Sequence, residues 1–161
     1  MFFLELVKNL PAELATFLLA LIPVTELRAS IPIAVGWFNL PILQAFFWSV
    51  LGSIFITLVL VYLIDIVSKQ LMKFKLGLKF FTWLFARTRR KFEGKYLKYG
   101  EIALVIFVAI PLPITGVWTG SVAAFLFGID RMRSVLLISL GTLIAGIIVS
   151  VLTYIGVLAF K

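Results

Sequence analysis

Apolar positions run continuously along most of this chain instead of alternating with polar ones. Residues 40–64 and 134–160 form two uncharged stretches of 25 and 27 residues. About 20 apolar residues in a helix are enough to cross the roughly 30 Å hydrocarbon core of a bilayer. The pattern therefore predicts two tilted spanning helices. It disfavours a membrane barrel, whose strands alternate apolar and polar residues.

A shorter apolar piece precedes each predicted spanning helix. Residues 14–25 and 102–110 carry no charge, and as helices they would reach only about 14 to 18 Å, half of the membrane. Helix-breaking residues follow or lie within each piece: Pro23 and Pro32 in the first, and Pro111, Pro113, Gly116 and Gly120 in the second. Prolines and glycines at that depth predict re-entrant hairpins, whose chains return towards Gly36 and Gly128.

The two halves of the chain resemble each other. Ile-Pro at 22–23 matches Ile-Pro at 110–111, and Leu-Gly-Ser at 51–53 matches Leu-Gly-Thr at 140–142, at offsets of 88 and 89 residues. A hairpin plus one spanning helix crosses the membrane once, so a second copy would start from the opposite face. The predicted fold class is an all-α integral membrane protein of two inverted repeats, each a re-entrant helical hairpin followed by a spanning helix. The expected single domain divides into an interfacial segment (1–10), a first repeat (11–67), a basic interfacial linker (68–99) and a second repeat (100–160).

Composition and charge agree with a membrane location. Hydrophobic residues make up 63% of the chain, charged residues only 14%, and the mean hydropathy is +1.17, too apolar for a soluble globule. The linker holds ten of the 15 basic residues: Lys69, Lys73, Lys75, Lys79, Arg87, Arg89, Arg90, Lys91, Lys95 and Lys98. By the positive-inside rule the linker is cytoplasmic, and the protein is expected to be multi-pass in the inner, cytoplasmic membrane of a cell.

The net charge of +8 raises the question of nucleic acid, but aromatic residues are interleaved with the linker cations. Phe74, Phe80, Phe81, Trp83 and Phe85 describe a helix lying at the membrane surface, with its rings among acyl chains and its cations near anionic lipids. The expected partners are therefore the bilayer, anionic lipids at Lys69–Lys98 and an amphiphilic substrate, with no nucleic acid. A homodimer is a further possibility, because two spanning helices and two hairpins bury little surface by themselves.

The chain has no cysteine and no histidine. This excludes disulfides and thiol chemistry and removes the commonest metal ligand, and no pairing of a nucleophile with a base is apparent. We expect no metal, no cofactor and no enzymatic activity.

Glu26 and Arg28 are the two ionisable residues placed deep in an apolar region. An ionised side chain there costs about 2.5 to 3.5 kcal/mol on insertion scales unless it is paired or hydrated, so both should face the protein interior. In one interpretation Glu26 carries a proton and Arg28 holds an anionic headgroup. In the other, the two form a salt bridge that only fixes a hairpin tip, or that reaches the outer headgroups.

Polar residues also mark the second predicted tip. Broken backbone in a membrane is tolerated where it lines a polar cavity or a ligand. The residues expected to contact substrate, together with Arg28 and Ser30, are Pro111, Pro113, Thr115, Gly116, Trp118, Thr119, Gly120 and Ser121. The return helix would open at Thr119 or Gly120. Alternatively, Gly116 and Gly120 form a packing face on an ordinary kinked spanning helix. Ser49 and Ser53 place further polar atoms along one side of the first spanning helix.

ELRASIP at 26–32 and PLPITGVWTGS at 111–121 resemble the two signatures of the small multidrug export proteins, which are related to the wider DedA-type, or VTT-domain, superfamily. The likeness extends from about Pro11 to Phe160. It implies two inverted repeats and a transporter role, with the acidic and basic tip residues of the family at Glu26 and Arg28. Ile114 stands where the family is expected to carry glycine. The arginines of the lipid-carrier branch are absent from the second signature.

The sequence thus predicts a small, proton-coupled secondary transporter. It would move an amphiphile, either a lipid phosphate or a drug-like molecule, through a midplane site between the two tips. The alternative is a non-transporting scaffold, an assembly factor or a lipid scramblase that acts through the basic linker. The two classes differ in where mutations should matter: at Glu26 and Trp118 for a transporter, and at Lys69–Lys98 for a scaffold.

Overall fold

The computed structural model of the protein describes residues 10–71, 73–112 and 115–159. Within this part the regular elements are all α-helices, with no strand. In chain order they are α1 (Ala12–Leu21), α2 (Glu26–Gly36), α3 (Ile42–Leu71), α4 (Lys75–Tyr99), α5 (Ile102–Ala109), α6 (Val117–Leu126) and α7 (Arg131–Ala159). The prediction of an all-helical chain is confirmed.

Two helices are long and apolar enough to cross a membrane. They are the Ile42–Ile64 part of α3 and the Arg131–Leu158 part of α7. In the most apolar 18 residues of each helix, only 39% and 33% are buried in the protein. Large side chains such as Phe47, Phe55 and Leu136 are therefore left exposed. Hydrocarbon is the solvent that suits such surfaces, as predicted for residues 40–64 and 134–160.

Local signals fix where the long helices begin. Pro41 precedes Ile42, and proline is favoured at a helix start because it has no N–H to satisfy there. The amides of Met132 and Arg133 donate hydrogen bonds to Asp130 Oδ1 at 3.0 and 3.3 Å, so Asp130 caps α7. The start of α7 at Arg131 thus lies three residues before the uncharged stretch 134–160 begins.

The short helices α1 and α5 have 10 and 8 residues, about 15 and 12 Å of rise. Each ends in an extended isoleucine, Ile22 or Ile110, directly before a proline, as the steric restriction on residues preceding proline requires. The breaks predicted at Pro23 and Pro111 are therefore present.

Pro32 does not break its helix, contrary to the prediction. It lies inside α2, which continues to Gly36. An internal proline removes one N–H from the helix and often bends it, but it need not end it when neighbouring elements stabilise both sides.

The chain forms two compact units, and the first contains residues up to Phe55 together with those from Leu143 onward. Its core joins α2, the start of α3 and the second half of α7, through Leu27, Ile31, Ala34, Leu40, Ala45, Ala145 and Val149. Helix α1 lies directly on α3 at Gly52: a Cβ atom there would be 2.6 Å from the carbonyl oxygen of Phe17 and 2.9 Å from Ala20 Cβ.

The second unit contains residues 56–142. Its core is formed by Val61, Ala103, Leu104, Phe107, Val108, Val117, Ala123, Ala124, Ile129 and Ile138. Helix α5 lies on α7 at Gly141, where a Cβ atom would be 2.8 Å from both the carbonyl oxygen of Val105 and Val108 Cβ. The predicted division into repeats and linker at residues 67 and 99 stays a prediction.

Candidate functional site

The first candidate site lies where α1 gives way to α2. The connection is Ile22 to Thr25, and Glu26 opens α2 with a φ of 41°. A left-handed backbone is uncommon for a residue with a side chain and costs about 1 to 2 kcal/mol. Strain of this kind is found preferentially at functional sites, which makes the start of α2 a candidate.

Glu26 and Arg28 form an ion pair at this point. Arg28 Nη1 donates to Glu26 Oε2, and the side chains of Arg28 and Glu26 are only 17% and 7% exposed. A second pair, in the other unit, joins Arg133 Nη1 to Glu101 Oε1 at 3.4 Å with side chains that are 68% and 40% exposed. The first pair is desolvated and the second is a surface contact, so a change in protonation has far larger consequences at Glu26.

Ser30 continues the polar face of α2. It lies four residues after Glu26, one helical turn along, and is fully buried. Its hydroxyl donates to Ser49 Oγ of α3 at 2.7 Å, and Ser53 is buried one turn further along α3. The first unit thus contains a polar set formed by the buried Glu26, Ser30, Ser49 and Ser53 and the half-buried Arg28.

The second candidate site is the connection between α5 and α6. Pro113 and Ile114 lie outside the described residues, and Pro111 is half-buried. Helix α6 begins at Val117, after Gly116, and not at Thr119 or Gly120 as predicted. The reason is that Thr119 Oγ1 accepts a hydrogen bond from the Gly116 amide at 3.2 Å, which closes the first turn earlier.

The hydroxyls predicted to face a ligand hydrogen-bond the backbone of this tip. Thr115 is buried, and its Oγ1 lies 2.7 Å from the carbonyl oxygen of Ile110 and 2.9 Å from that of Leu112. Ser121 Oγ donates to the carbonyl oxygen of Val117 at 2.7 Å. These bonds satisfy carbonyl groups near a helix break, which hydrocarbon could not do.

Gly116 and Gly120 do not form a packing face on one continuous helix, because Gly116 precedes the start of α6. Gly120 does permit close packing: a Cβ atom there would lie 2.8 Å from Val108 Cγ2 of α5. Trp118 is half-buried against the core of the second unit.

The structure therefore brings the predicted residues together in two sets, each within its own unit. Glu26, Arg28 and Ser30 belong to the first. Pro111, Thr115, Gly116, Trp118, Thr119, Gly120 and Ser121 belong to the second. Sequence reasoning did not find Ser49 as the partner of Ser30, although its helical spacing with Ser53 was a signal. Nor did it find the crossings at Gly52 and Gly141, although both glycines stand in the repeated Leu-Gly-Ser/Thr motif.

Two long apolar helices with exposed apolar surfaces favour a helical membrane protein, and a partly buried ion pair lies at one of its helix breaks. A family model described as "Putative small multi-drug export protein" matches residues 26–148, and the chain belongs to this family. The matched region includes both candidate sites. Comparisons with curated proteins and with solved structures give no match. The wider relationship to the DedA-type superfamily stays a prediction.

Proposed function

We propose that this protein is a small proton-coupled membrane transporter that moves an amphiphile, with Glu26 as the proton carrier and Arg28 as the group that binds an anionic part of the substrate. The observation that carries the proposal is the ion pair of Glu26 and Arg28, buried at the strained start of α2. The substrate is moved without chemical change, so no catalytic residue, metal or cofactor is assigned.

The pair suggests how protonation of Glu26 is coupled to substrate binding at Arg28. While Glu26 is ionised, its carboxylate occupies the Arg28 guanidinium. Protonation of Glu26 weakens this charge-assisted bond and leaves Arg28 able to accept a phosphate or carboxylate of an amphiphile. Such linkage is reciprocal: bound anion favours the protonated carboxyl group as strongly as protonation favours the anion. Proton and anion would therefore be carried together, so the proton gradient would drive both in the same direction.

The low exposure of the pair supports a functional role. Charged side chains within membrane segments are rare, and they mark substrate or proton pathways in most known cases. The buried hydroxyls of Ser30 and Ser49 extend the polar set beyond Glu26, and a chain of hydroxyls can accept and donate protons in turn.

We further propose that the two hairpin-plus-helix segments are repeats of one another with inverted topology. Buried positions of α1 recur in α5 at an offset of 88 residues: Ala15, Leu19 and Ala20 correspond to Ala103, Phe107 and Val108. Asn39 and Gly128, 89 apart, both have positive φ before a long helix.

The helix crossings give the same offsets. Gly52 meets the carbonyl oxygen of Phe17 and the Cβ of Ala20, and Gly141 meets the carbonyl oxygen of Val105 and the Cβ of Val108. A contact between two elements that recurs with its partners is stronger support than a recurring dipeptide. Each repeat would cross the membrane once, so the second repeat would have the opposite orientation in the membrane.

The transport proposal is tested with purified protein in liposomes that enclose a pH-sensitive dye. Dodecyl phosphate and ethidium serve as anionic and cationic amphiphiles. The wild-type protein should move protons when one of these amphiphiles is added under a pH gradient. Glu26→Gln should abolish this flux, because the side chain can no longer exchange a proton. Glu101→Gln is the matched control, since it removes the carboxylate charge of the exposed pair. This variant should retain the flux.

A folded Glu26→Gln protein that transports at the wild-type rate, with the same pH dependence, would contradict proton coupling through Glu26. If both carboxylate variants were active while loss of linker charges impaired the protein, the scaffold alternative would be favoured.

Substrate binding through Arg28 is tested by native mass spectrometry of the protein released from mild detergent. We expect a retained anionic amphiphile that is lost in Arg28→Ala and kept in Arg133→Ala, where the exposed arginine is removed instead. Equal retention in both variants would contradict the role of Arg28. The same spectrum reports whether the protein is a homodimer.

A further inference from the structure

Helix α4 belongs to the second unit and packs on other helices of that unit. It contacts α5 and α6, and the rings of Phe85 in α4 and Phe125 in α6 lie 6.1 Å apart between centroids. Phe85 therefore marks the face of α4 that packs on α6, and the opposite face of the helix turns away from α6.

Large apolar side chains lie on the outward face. Leu76, Phe80 and Trp83 are 85%, 54% and 53% exposed, and their spacing of four and three residues places them on one side of the helix. We call these three residues the aromatic stripe. The rings of Phe80 and Trp83 lie 6.3 Å apart, so the stripe is continuous.

Cations lie beside the aromatic stripe. Lys75, Lys79 and Arg90 are exposed, and at about 100° per residue they fall within one narrow sector next to the stripe. We call them the cationic stripe. The Arg87 guanidinium also lies over the Trp83 ring, 5.1 Å from its centroid. The side chains of Lys69, Phe81, Arg89, Lys91, Lys95 and Lys98 lie outside the described residues.

We propose that the outward face of α4 is a binding surface for an anionic phospholipid leaflet. The aromatic stripe would enter the boundary between headgroups and acyl chains, and the cationic stripe would contact the anionic headgroups. Aromatic rings and long cationic side chains are the groups that settle at this boundary, because each has an apolar part and a polar end. This surface is separate from the ion pair at Glu26 and does not depend on the transport proposal.

Charge favours lipid over the other possible occupants. The sequence between residues 69 and 98 contains ten Lys and Arg residues and a single acid, Glu93. A second copy of this chain would bring the same cations against each other, and like charges repel. Nucleic acid would match the charge but would leave the three large side chains of the aromatic stripe in water. An anionic leaflet matches both stripes.

The test uses the natural absence of cysteine in this chain. Leu76→Cys is labelled with bimane, and the full-length protein is reconstituted with brominated phosphatidylcholine as a quencher that lies within the bilayer. Vesicles of phosphatidylcholine alone are compared with equimolar phosphatidylcholine and phosphatidylglycerol. We expect stronger quenching in the anionic vesicles.

Two variants separate charge from fold. Replacing Lys75, Lys79 and Arg90 by Gln should weaken the association with the anionic leaflet by about a hundredfold, from roughly fivefold per cation, and should remove the difference between the vesicles. Replacing Lys75 and Lys79 by Arg keeps the charge and should preserve the difference. Proton flux of both variants is measured in parallel and should remain at the wild-type rate.

Several results would overturn the proposal. Equal quenching in the two vesicle types would show that anionic lipid is not recognised. A probe accessible to aqueous iodide and unquenched by brominated lipid would place the face in water. A probe shielded from both quenchers, in a protein that runs as a dimer, would show that a second copy covers the face.

Discussion

Glu26 and Arg28 are two residues apart, a spacing at which side chains on a regular helix point away from each other. They meet because Glu26 has a left-handed φ of 41° at the first position of α2. The sequence placed both residues at one tip and gave a reason for them to pair, the cost of unpaired charge in an apolar region. The backbone conformation that allows their contact has no sequence signal, since Glu is not a residue that favours positive φ.

Removing one partner of the buried pair should be costly, because the other charge stays buried and loses its ion-pair partner. We expect Arg28→Ala to lower the free energy of unfolding by about 3 to 5 kcal/mol. Arg133→Ala breaks the exposed pair with Glu101 and should cost at most about 1 kcal/mol. Thermal unfolding in one detergent, followed by circular dichroism, measures both. Similar losses for the two variants would mean that the Glu26 pair is hydrated.

The double variant refines the same prediction. Glu26→Gln in the Arg28→Ala background removes the carboxylate that has lost its arginine, so part of the lost stability should return. A double-mutant cycle then gives the coupling free energy between the two side chains. A coupling near zero would contradict a desolvated ion pair.

At the scale of elements, the sequence predicted the breaks after α1 and α5 but not the continuity of α2 across Pro32. α5 was expected over 102–110 and spans Ile102–Ala109, because a proline after an extended residue is a strong local signal. The start of α6 was misplaced, because it depends on the hydrogen bond between the Gly116 amide and the Thr119 hydroxyl. The break at Pro32 was wrong, because tertiary packing of Leu27, Ile31 and Ala34 keeps α2 together across the proline.

The glycine crossings provide a prediction at this scale. A Cβ atom at Gly52 or Gly141 would meet a backbone carbonyl oxygen at 2.6 or 2.8 Å, and backbone cannot move without shifting the whole of α1 or α5. We expect Gly52→Ala and Gly141→Ala each to lower the free energy of unfolding by about 1 to 3 kcal/mol. Thermal unfolding of the detergent-purified variants is the measurement.

Gly156 is the matched control, since it lies in α7 with nothing within 4 Å of its would-be Cβ. Gly156→Ala should be neutral or stabilising by up to about 1 kcal/mol, from helix propensity alone. If Gly52→Ala were tolerated as well as Gly156→Ala, α1 would not lie on α3 as described.

At the scale of the whole molecule, composition already required a membrane environment. Its 63% hydrophobic residues leave too little polar surface for water, and the exposed apolar faces of α3 and α7 agree with this. Which faces of the membrane the loops reach, and how deep the first tip lies, could not follow from composition. They depend on whether α1 and α2 form a hairpin that returns to its starting side.

The depth of the first tip decides the role proposed for Glu26. Val24, two residues before it, has an apolar side chain that is 89% exposed in the protein. A tip in the hydrocarbon would cover Val24 with lipid, and a shallow tip would leave it in water. In the first case Glu26 is an intramembrane carboxylate. In the second, the pair lies at the membrane surface and only the protein shields it from water.

Single-cysteine labelling of intact cells with a membrane-impermeant maleimide measures this depth most directly, since the chain has no native cysteine. Gly36→Cys lies at the end of α2, and α3 is predicted to span from there to the cytoplasmic linker. It should therefore react from outside, since a side chain there meets nothing within 4 Å. Lys79→Cys and Arg131→Cys should react only after the cells are opened, and Val24→Cys should stay unlabelled in both conditions until the membrane is dissolved in detergent. Rapid labelling of Val24→Cys in intact cells would place the tip in water and contradict an intramembrane role for Glu26.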